Sequence, residues 1–210
     1  MNSVGICNLA LSHLGSYSIQ SFTESTKEAQ FCDAVYEPVR DSMLRDFDWN
    51  FATKREALAL LTTTYSGYDY AYAYPSDCLK AIKIYNANTG YSMSGSFYDA
   101  SLTYSSPNKI EFEIAINDNL NQKIVLTNEG DAELFYTAKV TNVNLYDPLF
   151  VTAFSYSLAA ELALALKGST KMQEELTQLA RLYGYKAQAT NANESYLKPK
   201  ISSSLQDSRG

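Results

Sequence analysis

The spacing of apolar residues changes period twice along this chain, and that change restricts the fold more than any single residue does. From Asn2 to Leu14, the residues Val4, Cys7, Ala10, Leu11 and Leu14 recur three or four apart, the repeat of one helix face. From about Glu24 the same repeat runs through Cys32, Val35, Val39, Met43 and Phe47, widened by Phe31, Tyr36 and Leu44. Between about Thr53 and Tyr146 the repeat becomes two. Ile110, Phe112, Ile114 and Ile116 alternate with Glu111, Glu113 and Ala115, while Leu134, Tyr136, Ala138 and Val140 alternate with Phe135, Thr137 and Lys139. Lys123–Thr127 is a short β-branched run, and Lys80–Tyr85 sets Ile82 and Ile84 on one face. Helical spacing then returns, from Leu149 to Leu166 and through Met172, Leu176, Leu179 and Tyr183. This order predicts an α+β chain. Residues 1–52 and 147–192 form a bundle of about four helices, and 53–146 an antiparallel β-rich insertion (sheet, sandwich or small barrel). Residues 193–210 are left as a C-terminal arm.

Local chemistry supports these boundaries. Asn2 or Ser3 can cap the first helix and Gly15 suits a left-handed exit from it. Ile19 and Phe22 are the anchors of the polar link that follows. Pro38 falls inside the second helix, where it removes one hydrogen bond and predicts a kink or a break. Asp147-Pro148 reads as a cap followed by proline at the first helical position. The third helix is apolar almost all round, as the centre of a bundle is. Lys167 and Gly168 close it, and Thr170 with Gln173 resembles a capping box for the fourth helix. Turn residues separate the strands at Asn88-Thr89-Gly90, Ser106-Pro107-Asn108, Asn117-Asp118-Asn119 and Asn128-Glu129-Gly130-Asp131. The arm has little to bury and is expected to be mobile until a partner orders it.

Composition narrows the function classes. With 46% apolar and 19% charged residues the chain is of the globular class. A net charge of −6 argues against wrapping nucleic acid through phosphate neutralisation. It is compatible with a surface that DNA slides past. The sequence reading expects no apolar run near the length of a membrane span, and no basic region opening a secretory signal. Cys7, Cys32 and Cys78 are odd in number and set in apolar contexts, which reads as buried reduced thiols of a protein made in a cytoplasm. Three scattered cysteines and one histidine do not make a metal site.

The catalytic search finds no motif. His13 sits between Ser12 and Leu14 and is expected at a surface or an interface. No phosphate loop, nucleophile elbow or zinc-protease signature occurs. The pairs Glu111/Glu113 and Glu174/Glu175 invite comparison with glycoside hydrolases, yet a solvated face is the better reading of them. No catalytic residue, metal or cofactor is therefore assigned. Among 17 tyrosines, Tyr65, Tyr68, Tyr70, Tyr72 and Tyr74 crowd ahead of Pro75. Such rings serve as a sugar platform or as subunit-interface or core material, and interface or core is favoured. The run around Trp49, the only tryptophan, carries Trp49 and Phe51 as structural anchors where the chain enters the insertion.

Five segments taken together resemble a known family. Asn8-Leu9-Ala10-Leu11-Ser12-His13-Leu14-Gly15 is similar to the opening of the phage head-to-tail adaptor proteins, also called tail tubular protein A in short-tailed phages. Ala29, Cys32, Tyr36, Arg40, Asp41 and Leu44 follow that family's second helix. Trp49-Asn50-Phe51-Ala52 with Lys54-Arg55 resembles its Trp-Asn-Phe-Ala turn, and Tyr72 to Leu79 its Tyr-Pro-Asp-Cys-Leu segment with a shorter tyrosine-to-proline gap. Tyr146 to Ala163 resembles its later Asp-Pro helix. The resemblance implies a virion protein of the tail or neck, twelve copies of which form a ring beneath the portal, extend the DNA channel and dock the tail nozzle or tube. It implies homo-oligomer, portal and tail partners, passage of double-stranded DNA without sequence-specific binding, and no membrane. On that reading Tyr196, Leu197, Lys198 and Ile201 of the arm are the portal contacts, and Tyr68, Tyr70, Tyr72 and Tyr74 face a neighbouring subunit or the tail. A glycan-binding tail component is the alternative, and a hydrolase the remaining rival.

Overall fold

The computed structural model describes residues 1–86, 110–117 and 121–194. Four helices, α1 (Ser3–His13), α2 (Lys27–Asp46), α3 (Pro148–Lys167) and α4 (Thr170–Glu194), flank six strands. These are β1 (Thr53–Ala57), β2 (Tyr70–Ala73), β3 (Cys78–Asn86), β4 (Phe112–Asn117), β5 (Gln122–Thr127) and β6 (Ala132–Ala138). The α+β architecture read from the sequence is the one observed, with the strands inserted between α2 and α3. The turn residues at 88–90, 106–108 and 118–119, and the arm residues Tyr196, Leu197, Lys198 and Ile201, lie outside the described residues.

The helix ends are set by local chemistry. The Asn2 side chain accepts from Gly5 N, and Gly15 (φ 59°) turns the chain out of α1. There the Ser16 N–H returns to Leu11 O and the Gly15 N–H to Ser12 O, the paired bonds of a Schellman close. The Asn8 side chain exchanges two bonds with the backbone of Ile19 and so ties the following link to α1. α2 starts three residues later than expected, because Thr26 caps it and Glu24 instead accepts from Gln20 N and Ser21 N in the loop. The helix is continuous through Pro38. It therefore does not break there, and the Ala34 carbonyl lacks its usual partner because proline has no N–H. α4 is capped by the Ser169 hydroxyl, which accepts from Met172 N, rather than by Thr170. It also runs on through Glu194, so residues 193 and 194 belong to the bundle and not to the arm.

Helix α3 is the centre. Asp147 caps it by accepting from Leu149 N and Phe150 N, and Gly168 (φ 62°) ends it. α1, α2 and α4 all pack on α3, while α1 and α2 meet each other over a smaller contact where buried Cys7 and Cys32 are neighbours. Among the described residues α3 is the one helix long and apolar enough to cross a membrane, with a mean hydropathy of 1.7, which corrects the sequence expectation about apolar runs. Its Phe150, Phe154, Leu158 and Leu162 are buried against the other helices.

The strands form two three-stranded antiparallel sheets, ordered β1-β6-β3 and β2-β5-β4. Tyr72 and Val125 of the second sheet share a core with Ile84, Leu134 and Tyr136 of the first, so of the three β options the packing is a sandwich. The other face of the second sheet, Ala71, Ile124 and Leu126, is covered by Leu61, Tyr65 and Tyr68 from the link between β1 and β2. Burial on both faces explains why Ile124-Val125-Leu126 is continuously apolar. In β4 the alternation is real but only half used. Phe112 packs on the shared core, whereas Ile116 is 66% exposed and Ile114 is also exposed, which corrects the expected half-buried strand.

Candidate interaction surfaces

The junction between bundle and sandwich is built around Trp49. Its ring lies edge-on to Phe47 (5.1 Å) and Phe150 (5.0 Å), and its Nε1–H donates to Met43 O at 2.9 Å. Phe51 touches Trp49, Tyr146 and Phe150. One turn from its end, α4 closes on the same place: Asn50 N donates to Asn191 Oδ1 and Asn50 Nδ2 to Asn191 O, both at 2.9 Å. The sequence flagged Trp49 and Phe51 but gave no hint of Asn191, since a buried asparagine near a helix end reads like any polar surface residue.

Polar ties join the two layers. The Arg45 guanidinium donates to Leu79 O, and Lys80 Nζ lies 2.6 Å from Asp48 Oδ1. Lys139, just past β6, pairs with Asp41 (3.4 Å) and Glu37 (3.6 Å) on α2. Arg40 is the least expected member, because at 3% exposure it is part of the buried face of α2. Its Nε donates to Asp41 at 2.7 Å and its Nη1 to Glu37 at 3.2 Å. Burial would lower the guanidinium pKa, but the Asp41 and Glu37 carboxylates raise it. The packed face of α2 thus runs Ala29, Cys32, Tyr36, Arg40 and Leu44, about one position round from the predicted stripe, and Phe31 is exposed.

Two clusters have the residue types of catalysis and neither has the arrangement. Lys54 Nζ lies 2.7 Å from Glu56 and 3.1 Å from Asp77, and the Tyr136 hydroxyl reaches both carboxylates at 2.9 Å. Bonding to Glu56 drives the Lys54 pKa up, and Lys54 in turn drives Glu56 down. Burial opposes the fall at Asp77, but Tyr136 and Lys54 overcome it, and burial raises Tyr136 itself. All four groups are pushed away from neutrality, opposite to what acid–base chemistry near pH 7 needs. The cluster instead clamps β1, β6 and the turn before β3.

The other cluster is His13 Nε2 with Ser155 Oγ, 3.1 Å apart. The serine hydroxyl already donates to Thr152 O at 2.8 Å, so the histidine is the donor in this pair, reversed from a base taking a nucleophile's proton. Ser155 is buried, and burial lowers the His13 pKa. The imidazole stacks on Tyr156 (4.1 Å, 9°), which stacks on Tyr183 (5.1 Å, 9°), and these rings close the gap between α1 and α4. His13 is therefore partly interior, not a free surface side chain.

The tyrosine segment divides. Tyr72 is 2% exposed and its hydroxyl donates to Glu129 O, so it has no surface to give a partner, which corrects its assignment to an interface. Tyr74 is half-buried against the shared core, and Tyr68 packs on the outer sheet face with its hydroxyl donating to Glu113. Tyr70, stacked beside Tyr72 and over Gly130, keeps the most exposed ring of the four.

Among the described residues two groups of exposed apolar side chains stand out. Ile114 and Ile116 stand on β4, which is the outer strand of its sheet among the described residues. On the bundle, Leu179, Leu182 and Tyr185 line the outer face of α4, Tyr185 being 69% exposed. Beside Tyr185 a groove of about 720 Å³ runs between α2 and α4, with Val35, Val39 and Met43 on one wall and Ala180 and Gly184 on the other. No group of histidine, cysteine and carboxylate side chains suited to a metal occurs among the described residues. No protein-family model matches the chain, and no curated protein does either.

Proposed function

We propose that this chain is a structural virion protein, a head-to-tail adaptor whose copies form a ring under the portal, extend the DNA channel and dock the tail nozzle or tube. The five ordered segments that resemble the adaptor family carry this reading. They fall on elements with structural roles: the α1 close at Gly15, the buried face of α2, the Trp49 junction, the turn holding Asp77, and α3 from its Asp147 cap. One observation of the fold supports it most directly. Ile114/Ile116 on the sandwich and Leu179/Leu182/Tyr185 on the bundle are different apolar surfaces, and a closed ring requires two unlike patches on each subunit.

In this reading the bundle is the rigid body, the sandwich meets the neighbour or the tail, and Tyr196, Leu197, Lys198 and Ile201 reach the portal. An acidic chain lets DNA pass without holding it. Virion localisation and a dodecameric ring follow from the same resemblance. The glycan-binding alternative loses support from the inward positions of Tyr72 and Tyr74.

Mixing the purified chain with the portal protein of its own phage and imaging by negative stain tests the proposal. A ring of adaptor density on the narrow end of the portal is the expected result. Monomers that never associate with the portal overturn it.

A further inference from the structure

Two thiols meet inside the bundle where α1 touches α2. Cys7 lies on the buried face of α1 with Ile6, Ala10 and Leu11, and Cys32 on that of α2 with Ala29 and Tyr36. Both are fully buried members of one core cluster, and both are free thiols. Ala10, one turn after Cys7, and Ala29, one turn before Cys32, are fully buried too. Side chains this short let two helices approach closely. The third thiol, Cys78, packs in the sandwich core beside Tyr74 and belongs to a different cluster.

The pair is asymmetric. The Cys7 S–H donates to the Cys32 sulfur, and that bond together with burial pushes the Cys7 pKa far up. The same bond pulls Cys32 below the ordinary thiol value, against the opposing effect of burial. Cys32 is thus the thiol that gives up its proton first, with the Cys7 sulfur already against it.

We propose that Cys7 and Cys32 are a disulfide site, a reduced pair that a peroxide closes into a reversible cross-link between α1 and α2. The Cys32 thiolate attacks one peroxide oxygen, the O–O bond breaks, and Cys32 becomes a sulfenic acid while hydroxide leaves. The proton that Cys32 gave up joins this hydroxide as water. The Cys7 sulfur then attacks the Cys32 sulfur. The S–S bond forms, the S–O bond breaks, and the departing hydroxide takes the Cys7 proton as a second water. Two thiols lose two electrons and one peroxide gains them. Burial does not forbid the first step, because peroxide is little larger than water and a helix of 11 residues opens locally more readily than the whole chain unfolds. The bridge closes the chain over residues 8–31, and so removes freedom chiefly from the unfolded state. The inference does not depend on the ring reading, and its test involves no portal.

The full chain is purified with reductant, desalted, treated with hydrogen peroxide in native buffer, alkylated and mapped after trypsin. Cys7 falls in the peptide Met1–Lys27, Cys32 in Glu28–Arg40 and Cys78 in Glu56–Lys80. The expected product joins the first two peptides with the loss of two hydrogens and is undone by dithiothreitol. It is expected to form at least about ten times faster than Cys78 is oxidised. The cross-linked chain should unfold at a urea midpoint about 1–2 M above that of the reduced chain. Cys32→Ser is expected to leave Cys7 open to alkylation after peroxide, whereas Cys7→Ser should leave Cys32 as a sulfenic acid that dimedone captures. Should either variant fail to fold, the wild-type map decides alone. Absence of the joined peptide from the folded chain overturns the proposal. So does a joined peptide that forms only in denaturing urea, equal participation of Cys78, a cross-link carried by a dimer, or a midpoint that does not rise.

Discussion

Replacing Trp49 with alanine is expected to destabilise the chain by about 3–5 kcal/mol. The indole is 2% exposed and touches Phe47, Phe51 and Phe150. Burying roughly 200–250 Å² at about 25 cal/mol per Å² gives an upper bound near 5–6 kcal/mol, which collapse of the neighbours around the cavity reduces. Trp49→Phe keeps a ring in the cluster but loses the donor to Met43 O, a net term of about 1 kcal/mol, besides part of the packing. Its expected cost is about 2 kcal/mol. Urea denaturation followed by far-ultraviolet circular dichroism measures both, with Tyr17→Ala at an 88% exposed position as a control expected within about 0.5 kcal/mol of wild type. Since domains of this kind are stable by only about 5–15 kcal/mol, the alanine variant should be visibly close to unfolding at room temperature. A cost for Trp49→Ala below about 1 kcal/mol would refute the argument that this residue fixes the junction.

Gly184→Ala is expected to stabilise the chain by about 0.5–1 kcal/mol in the same denaturation assay, because glycine inside a helix is entropically costly and its added Cβ has open space. A measured loss would mean the groove wall is tighter than described. Arg40→Met should cost less than Arg40→Ala, by about 1 kcal/mol or more, since methionine fills most of the buried space of the arginine stem while Glu37 and Asp41 keep partial access to water. Equal costs would show that charge pairing, not packing, dominates at this position. Burial holds the folded His13 pKa below the ordinary imidazole value of 6.5, so as the pH falls through 6.5 the unfolded chain takes up a proton that the folded chain resists. Stability should therefore fall below pH 6.5 and level off beneath the folded pKa, and His13→Gln should flatten that slope. Glu56 and Asp77 are held below the ordinary carboxylate values of 4.5 and 3.8, so their contribution is intact at neutral pH and is lost only in stronger acid.

What was legible in the sequence was what short-range chemistry decides. Asn2, Gly15, Asp147 and Gly168 act within one turn of themselves, and their roles follow from residue type alone. Arg40 was not legible, because a guanidinium reads as a surface group unless it is known to pair with the carboxylates three residues back and one ahead. β4 failed differently. Alternation tells which residues share a face but not how far the opposing sheet extends, so Phe112 is packed while Ile114 and Ile116 on the same face are not. The tyrosines of 65–74 divided for a related reason: the second sheet needs cover on both faces, and their own link supplies it. The groove depends on small side chains of α3 and α4 meeting across an inter-helix gap, which no single-helix pattern encodes.

The central position of α3 also sets a timetable. Every other helix packs on α3, yet it follows about 100 residues after α2 ends, and α1 and α2 bury more against α3 than against each other. At about 5–20 residues per second of synthesis, the first two helices wait on the order of 5–20 seconds for the surface they bury against. The sandwich, complete once β6 has emerged, can form during that interval. The nascent chain should therefore gain β structure before its bundle, even though the bundle begins at the N-terminus.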